Sequence, residues 1–116
     1  DIKPQNILRC DDVWKIADFG ISKFTNNPVT GYTFQGAHTL PWAPPEQSQG
    51  APAAPSADIY AFGKVILFLL SGKFDLDDET DLEKRWRNII QPCLDFNPNQ
   101  RPDIGRIRTQ LSQIDV

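Results

Sequence analysis

The strongest constraint on this chain is a twelve-residue apolar run, Ile59 to Leu70, interrupted only by Gly63 and Lys64. Spanning a bilayer takes about 20 such residues, so the run is expected to be a helix buried at the centre of a globule and not a membrane span. Pro55-Ser56 supplies a start, with Ser56 as N-cap, and Ser71-Gly72 a stop, because glycine suits the position after a helix. Everything else must pack around it. A chain of 116 residues allows one domain, or part of one, with a single core.

Two more helices follow. Thr80 and Glu83 have capping-box spacing, and Leu82, Trp86, Ile89, Ile90, Cys93 and Leu94 then share one face, with a bend expected at Pro92. Pro102 at a first helical position, with Ile104, Ile107, Leu111 and Ile114 behind it, marks a terminal amphipathic helix. Ahead of the apolar run the pattern differs. Ile7-Leu8-Arg9 and Val13 to Ile16 alternate about a polar Asp11-Asp12 turn and read as a hairpin. Residues 20–40 lack apolar periodicity and read as a long surface loop. The five prolines from Pro41 to Pro55 permit no more than one helical turn, near Glu46 to Gln49. The fold class is therefore mainly α, with about three core helices, a short β-hairpin and one long loop.

Charge and cysteines narrow the function. Twelve basic against fifteen acidic residues, a net charge of −3, argue against a broad basic face for nucleic acid. Cys10 and Cys93 have no CxxC or histidine partner, so neither a disulfide framework nor a zinc site is expected, and an intracellular, cytoplasmic setting is the default. No signal peptide leads the chain, and no membrane contact is expected from this segment. Six acidic side chains between Asp75 and Glu83 lack EF-hand spacing and read as a solvated loop.

The chemistry gathers at the hairpin's open end. With the turn centred between Asp11 and Asp12, residues whose numbers sum to 23 face each other, so Asn6 faces Ala17 and Asp18 lies just beyond. An amide oxygen and a carboxylate side by side suit Mg²⁺, which is held by one or two protein oxygens with nucleotide phosphates completing the shell. Asp1, on the segment entering the same end, is placed to accept a hydroxyl proton, and Lys3 to neutralise a transferring phosphate. A loop with a capping Asp and a salt-bridging Lys is the plainer alternative on these residues alone.

Asp1-Ile-Lys-Pro-Gln-Asn6 is similar to the catalytic loop of eukaryotic-type protein kinases, and Asp18-Phe19-Gly20 to the metal-binding Asp-Phe-Gly of that family. Pro44-Pro45-Glu46 resembles the motif closing the activation segment, with Pro44 in place of Ala. Asp58-Ile-Tyr-Ala-Phe-Gly63 resembles the start of the family's central helix, with Tyr60 at the common Trp position. Cys93-Leu94 through Asn97-Pro98 to Arg101-Pro102 resembles its last conserved segment.

The resemblance implies that residues 1–116 are the C-terminal lobe of a serine/threonine kinase domain, with 18–46 as activation segment. It implies that Asp1 is the catalytic base, that Asn6 and Asp18 hold Mg²⁺, that ATP is the donor and a protein Ser or Thr the acceptor, and that Glu46 pairs with Arg101. Lys3 and Thr39 match what serine/threonine kinases carry beside the base and on the substrate side. Ser22, Thr25, Thr30, Tyr32 and Thr33 are candidate regulatory phosphosites.

Departures accompany the match. No glycine-rich loop or strand lysine is present, so the chain reads as a fragment of a longer protein, inactive on its own and open to membrane tethering elsewhere in the parent. His38 precedes Thr39 where the family has Gly, and the stretch from Gly72 to Cys93 is short. Two alternatives compete with the kinase: a pseudokinase-like module that binds proteins without catalysis, and a small-molecule phosphotransferase with a related lobe.

Overall fold

The computed structural model describes residues 2–16 and 42–114. Asp1, Asp18-Phe19-Gly20, His38, Thr39, the loop expected over 20–40 and its hydroxyls lie outside the described residues.

The hairpin forms in the expected register. Strands β1 (Ile7–Cys10) and β2 (Val13–Ile16) pair antiparallel, Ile7 opposite Ile16 and Cys10 opposite Val13. Asp11 and Asp12 have φ of 50° and 64°, the left-handed pair that a two-residue turn matched to strand twist requires. Aspartate tolerates that region better than most side chains, and Asp12 also accepts a 2.7 Å bond from Arg9. A 3-10 turn, Pro4–Asn6, feeds β1; the Asn6 N–H donates to the Lys3 carbonyl at 2.9 Å.

Four described helices follow: α1 (Pro45–Ser48), α2 (Pro55–Ser71), α3 (Lys84–Cys93) and α4 (Ile104–Ser112), with a 3-10 turn at Pro98–Gln100. The single turn α1 joins the three longer helices that the periodicity indicates. None of the described helices is long and apolar enough to cross a membrane.

The ends of the helices differ from expectation, each for a local reason. Helix α2 starts two residues early: Ala54 is the N-cap and Pro55, whose ring presets φ, takes the first position, so Ser56 lies inside the first turn and is not the cap. At the other end Gly72 has φ 75° and its N–H reaches the Phe68 carbonyl at 2.8 Å, a left-handed stop only glycine adopts freely. The capping box at Thr80 and Glu83 does not form, because α3 begins at Lys84 and Thr80 is committed elsewhere. Thr80 is buried; its hydroxyl lies 2.9 Å from Asp77 Oδ1 and 3.1 Å from the Asp75 carbonyl, and accepts the Asp77 N–H at 3.1 Å. That hydroxyl holds the Asp77 carboxyl below its usual range. Arg87 secures the same loop from α3, donating to the carbonyls of Asp77 and Thr80 at 3.1 and 2.8 Å. Helix α4 is capped by Asp103, which accepts the Arg106 N–H at 2.8 Å; Pro102 precedes the cap and is not the first helical residue.

Leu67, Ile90, Cys93 and Ile107 are fully buried, where α2, α3 and α4 meet. Each aliphatic side chain so buried stabilises the fold by about 1.5–3 kcal/mol. Gly63 permits this packing: a Cβ there would stand 2.9 Å from both Cys93 Cβ and Leu94 Cδ2, closer than carbon atoms approach. Burial pushes the Cys93 thiol up to about 11. Helix α2 is not buried on every side, however. Leu69 and Leu70 are exposed in its last turn. The six carboxylates between Asp75 and Glu83 are all exposed, as a solvated loop requires.

Candidate active site

Glu46 and Arg101 meet across 55 residues of sequence in a fork-to-fork pair. Arg101 Nη1 donates to Glu46 Oε2 at 2.7 Å and Nη2 to Oε1 at 2.9 Å. Two further guanidinium hydrogens reach backbone carbonyls, Nε to Asp95 at 2.9 Å and Nη1 to Ser56 at 3.0 Å. Four of the five N–H donors are thus used, and the Arg101 side chain is wholly buried while Glu46 keeps a little exposure. The face of the Tyr60 ring lies 4.9 Å from the guanidinium carbon, a cation–π contact that shields the pair from water. Arg101 donation holds the Glu46 carboxyl below its ordinary value, against a smaller opposing effect of burial.

One side chain therefore joins α1, the start of α2, the turn after α3 and the approach to α4. The Glu46–Arg101 pair is the one the family resemblance implies, whereas the Tyr60 ring and the two carbonyls join it only through the fold, because no local spacing brings them together.

At the hairpin's open end Asn6 is buried, at 6% exposure, as the last residue of its 3-10 turn, and Lys3 is half-buried just before that turn. Asp1, Asp18 and Thr39 lie outside the described residues, so of the sequence-derived site residues the described structure brings together Glu46 and Arg101. Among the described residues no group of three His, Cys, Asp or Glu is arranged to hold a metal ion. A cavity of about 570 Å³ separates the hairpin side, at Ile2 and Ile16, from Ile59, Phe62 and Ile104 of α2 and α4.

A second cluster went unread in the sequence. Trp42, at 6% exposure, meets Phe68 and Phe74 edge-on with ring centroids 5.7 and 5.5 Å apart, and Phe68 stacks on Phe74 at 5.0 Å. It fixes the stretch leading into Pro44-Pro45-Glu46.

Comparison with known proteins bears on this arrangement. The model of the protein kinase domain matches residues 1–111. A probable serine/threonine-protein kinase of Clostridium acetobutylicum is 37% identical over 90 residues, covering 77% of this chain and 14% of the relative. A leucine-rich repeat receptor-like serine/threonine/tyrosine-protein kinase of Arabidopsis thaliana is 32% identical, over 98% of this chain and 24% of the relative. Mitogen-activated protein kinase kinase kinase 12 of Rattus norvegicus is 39% identical, over 96% and 14%. The chain thus spans no more than about a quarter of the length of these curated relatives. With the family model matched along nearly all its length, the chain belongs to the protein kinase domain family.

Proposed function

We propose that residues 1–116 serve as the C-terminal lobe of a serine/threonine protein kinase domain, with 18–46 as its activation segment, and that the reaction moves the γ-phosphoryl of ATP to a protein Ser or Thr hydroxyl. The observation that carries this reading is the hairpin register. The pairing of Ile7 with Ile16 agrees with the turn-centred register on which the Asn6 and Asp18 donor set is proposed. Asn6 is buried in its turn, and an amide oxygen with a carboxylate is the kind of hard-oxygen donor set that suits Mg²⁺. Asn6 and Asp18 would hold Mg²⁺, which would supply charge neutralisation for the nucleotide phosphates.

The chain's own residues do the rest. Asp1 orients the acceptor hydroxyl and takes its proton as the oxygen attacks phosphorus. Lys3 offsets the charge on the transferring phosphoryl oxygens. Thr39 acts on the substrate side, and the Glu46–Arg101 pair anchors the end of the activation segment to α2. No glycine-rich phosphate loop occurs among the 116 residues, so the chain alone does not turn over ATP. The chemistry belongs to the ATP-containing, reducing interior of the cell.

The test is phosphoryl transfer from labelled ATP to protein acceptors by the full-length polypeptide that carries these residues. Asp1→Asn lowers transfer by roughly 10²–10⁴-fold, the share general-base catalysis supplies, while nucleotide binding persists. Undiminished transfer in Asp1→Asn contradicts the assignment, and nucleotide or protein binding with no transfer by the parent favours the non-catalytic module.

A further inference from the structure

Lysine is rarely buried without a purpose-built partner, yet Lys64 sits at 8% exposure in the middle of the most apolar helix. The reaction proposed above gives it no task. Its ammonium donates to the Phe74 carbonyl, ten residues on, and lies 3.6 Å from Asp75 Oδ1 and 5.6 Å from the centre of the Tyr60 ring. The Asp75 side chain is 91% exposed, so water screens that attraction, and the part-buried bond to the carbonyl is the stronger tether.

The tether fixes Phe74. The backbone it grips carries the ring that stacks on Phe68, planes 7° apart, and closes edge-on against Trp42. Phe74 is itself 39% exposed and sits in a non-helical stretch after Gly72, so local structure alone does little to hold it there. Contacts run unbroken from Lys64 through the Phe74 carbonyl and ring to Trp42, four residues before Glu46.

We propose that Lys64 is a positioning residue for the protein acceptor: it holds Phe74 behind Trp42 and so fixes the stretch that leads into Pro44-Pro45-Glu46. The acceptor's identity rests on the kinase reading; the tether itself does not. An apolar side chain at 64 fills the same space without a donor, which frees the 73–75 backbone and uncovers one side of Trp42.

The experiment uses the full-length polypeptide and a Ser/Thr acceptor peptide selected from a library, with Lys64→Met, Lys64→Arg, Phe74→Ala and Asp75→Asn compared with the parent. Lys64→Met and Phe74→Ala each raise KM for the peptide roughly tenfold, the scale of one lost hydrogen bond to a charged group, with KM for ATP and kcat unchanged. Lys64→Arg, which keeps N–H donors, recovers the parental KM, and Asp75→Asn never departs from it. In a background where every tryptophan of the full-length polypeptide except Trp42 is Phe, acrylamide quenches Trp42 more readily once Lys64 is Met.

Parental peptide KM in both Lys64→Met and Phe74→Ala overturns the proposal, as does an equal loss in kcat and in KM for ATP, which marks general misfolding. If Lys64→Met does not fold, Phe74→Ala decides by the same KM comparison. If the parent transfers no phosphate, the kinase reading fails, and the quenching comparison alone decides whether Lys64 holds Phe74 against Trp42.

Discussion

The hairpin and the helical layer are held together by opposite means. In the hairpin Leu8, Val13, Trp14 and Ile16 are all exposed, and the register rests on a two-residue turn and a ladder of backbone bonds. In the helical layer Leu67, Ile90 and Ile107 are shut away from water, and Arg101 reaches partners up to 55 residues distant. A two-stranded hairpin is marginal in water by itself, and among the described residues Ile16 borders a cavity shared with Ile59, Phe62 and Ile104. The turn entering the hairpin carries Asn6, the proposed metal ligand, and the helices supply the stability against which it is held. Substitutions in the two regions should therefore fail differently.

The largest expected loss lies in the helical layer. Glu46→Ala leaves the buried Arg101 charge without its partner and Arg101→Ala leaves the part-buried Glu46 without its own, and each lowers unfolding free energy by about 3–5 kcal/mol, read from urea denaturation. Trp14→Ala on the hairpin stays within about 0.5 kcal/mol, as surface changes do. Equal losses at the two places would erase the distinction between them.

Gly63→Ala is next. The added methyl meets Cys93 and Leu94 at the α2–α3 contact, and overpacking of this kind costs about 1–3 kcal/mol, measured as a lower denaturation midpoint. An unchanged midpoint would mean that α3 moves aside freely and that the helical layer is looser than its burial indicates.

A smaller effect sharpens the comparison through pH. Glu46 has its pKa held below the ordinary 4.5 in the folded chain, so its unfolded form binds a proton more readily. Its stabilising contribution is complete above about pH 4.5 and is lost as pH falls through the lower folded value. Denaturation midpoints in the parent should drop across that acid window, and Glu46→Gln should remove that part of the slope. A slope unaltered by Glu46→Gln would assign the acid loss to other carboxylates.

The same contrast explains what was legible in the sequence. Asp11-Asp12 between alternating residues fixes the hairpin register by local geometry, and the apolar periods fix the existence of α2, α3 and α4. Helix starts were less legible because a cap depends on where a hydroxyl is needed most. Thr80 closes the acidic loop instead of capping α3, and Pro55 pre-empts Ser56. Glu46 and Arg101 were paired only through the family resemblance, since nothing in either neighbourhood marks the other. Tyr60, the Ser56 and Asp95 carbonyls and the Trp42 cluster converge only after folding. Lys64 was visible as an interruption of an apolar run, and the Phe74 carbonyl that accounts for it was not.

The most direct measurement is the Mg²⁺ dependence of phosphoryl transfer by the full-length polypeptide with Asn6→Ala. Because Mg²⁺ relies on only one or two protein oxygens, losing one should raise the Mg²⁺ needed for half-maximal transfer by roughly tenfold or more. Transfer to a protein acceptor at the parental Mg²⁺ requirement would contradict the placing of a metal ion at the open end of the hairpin.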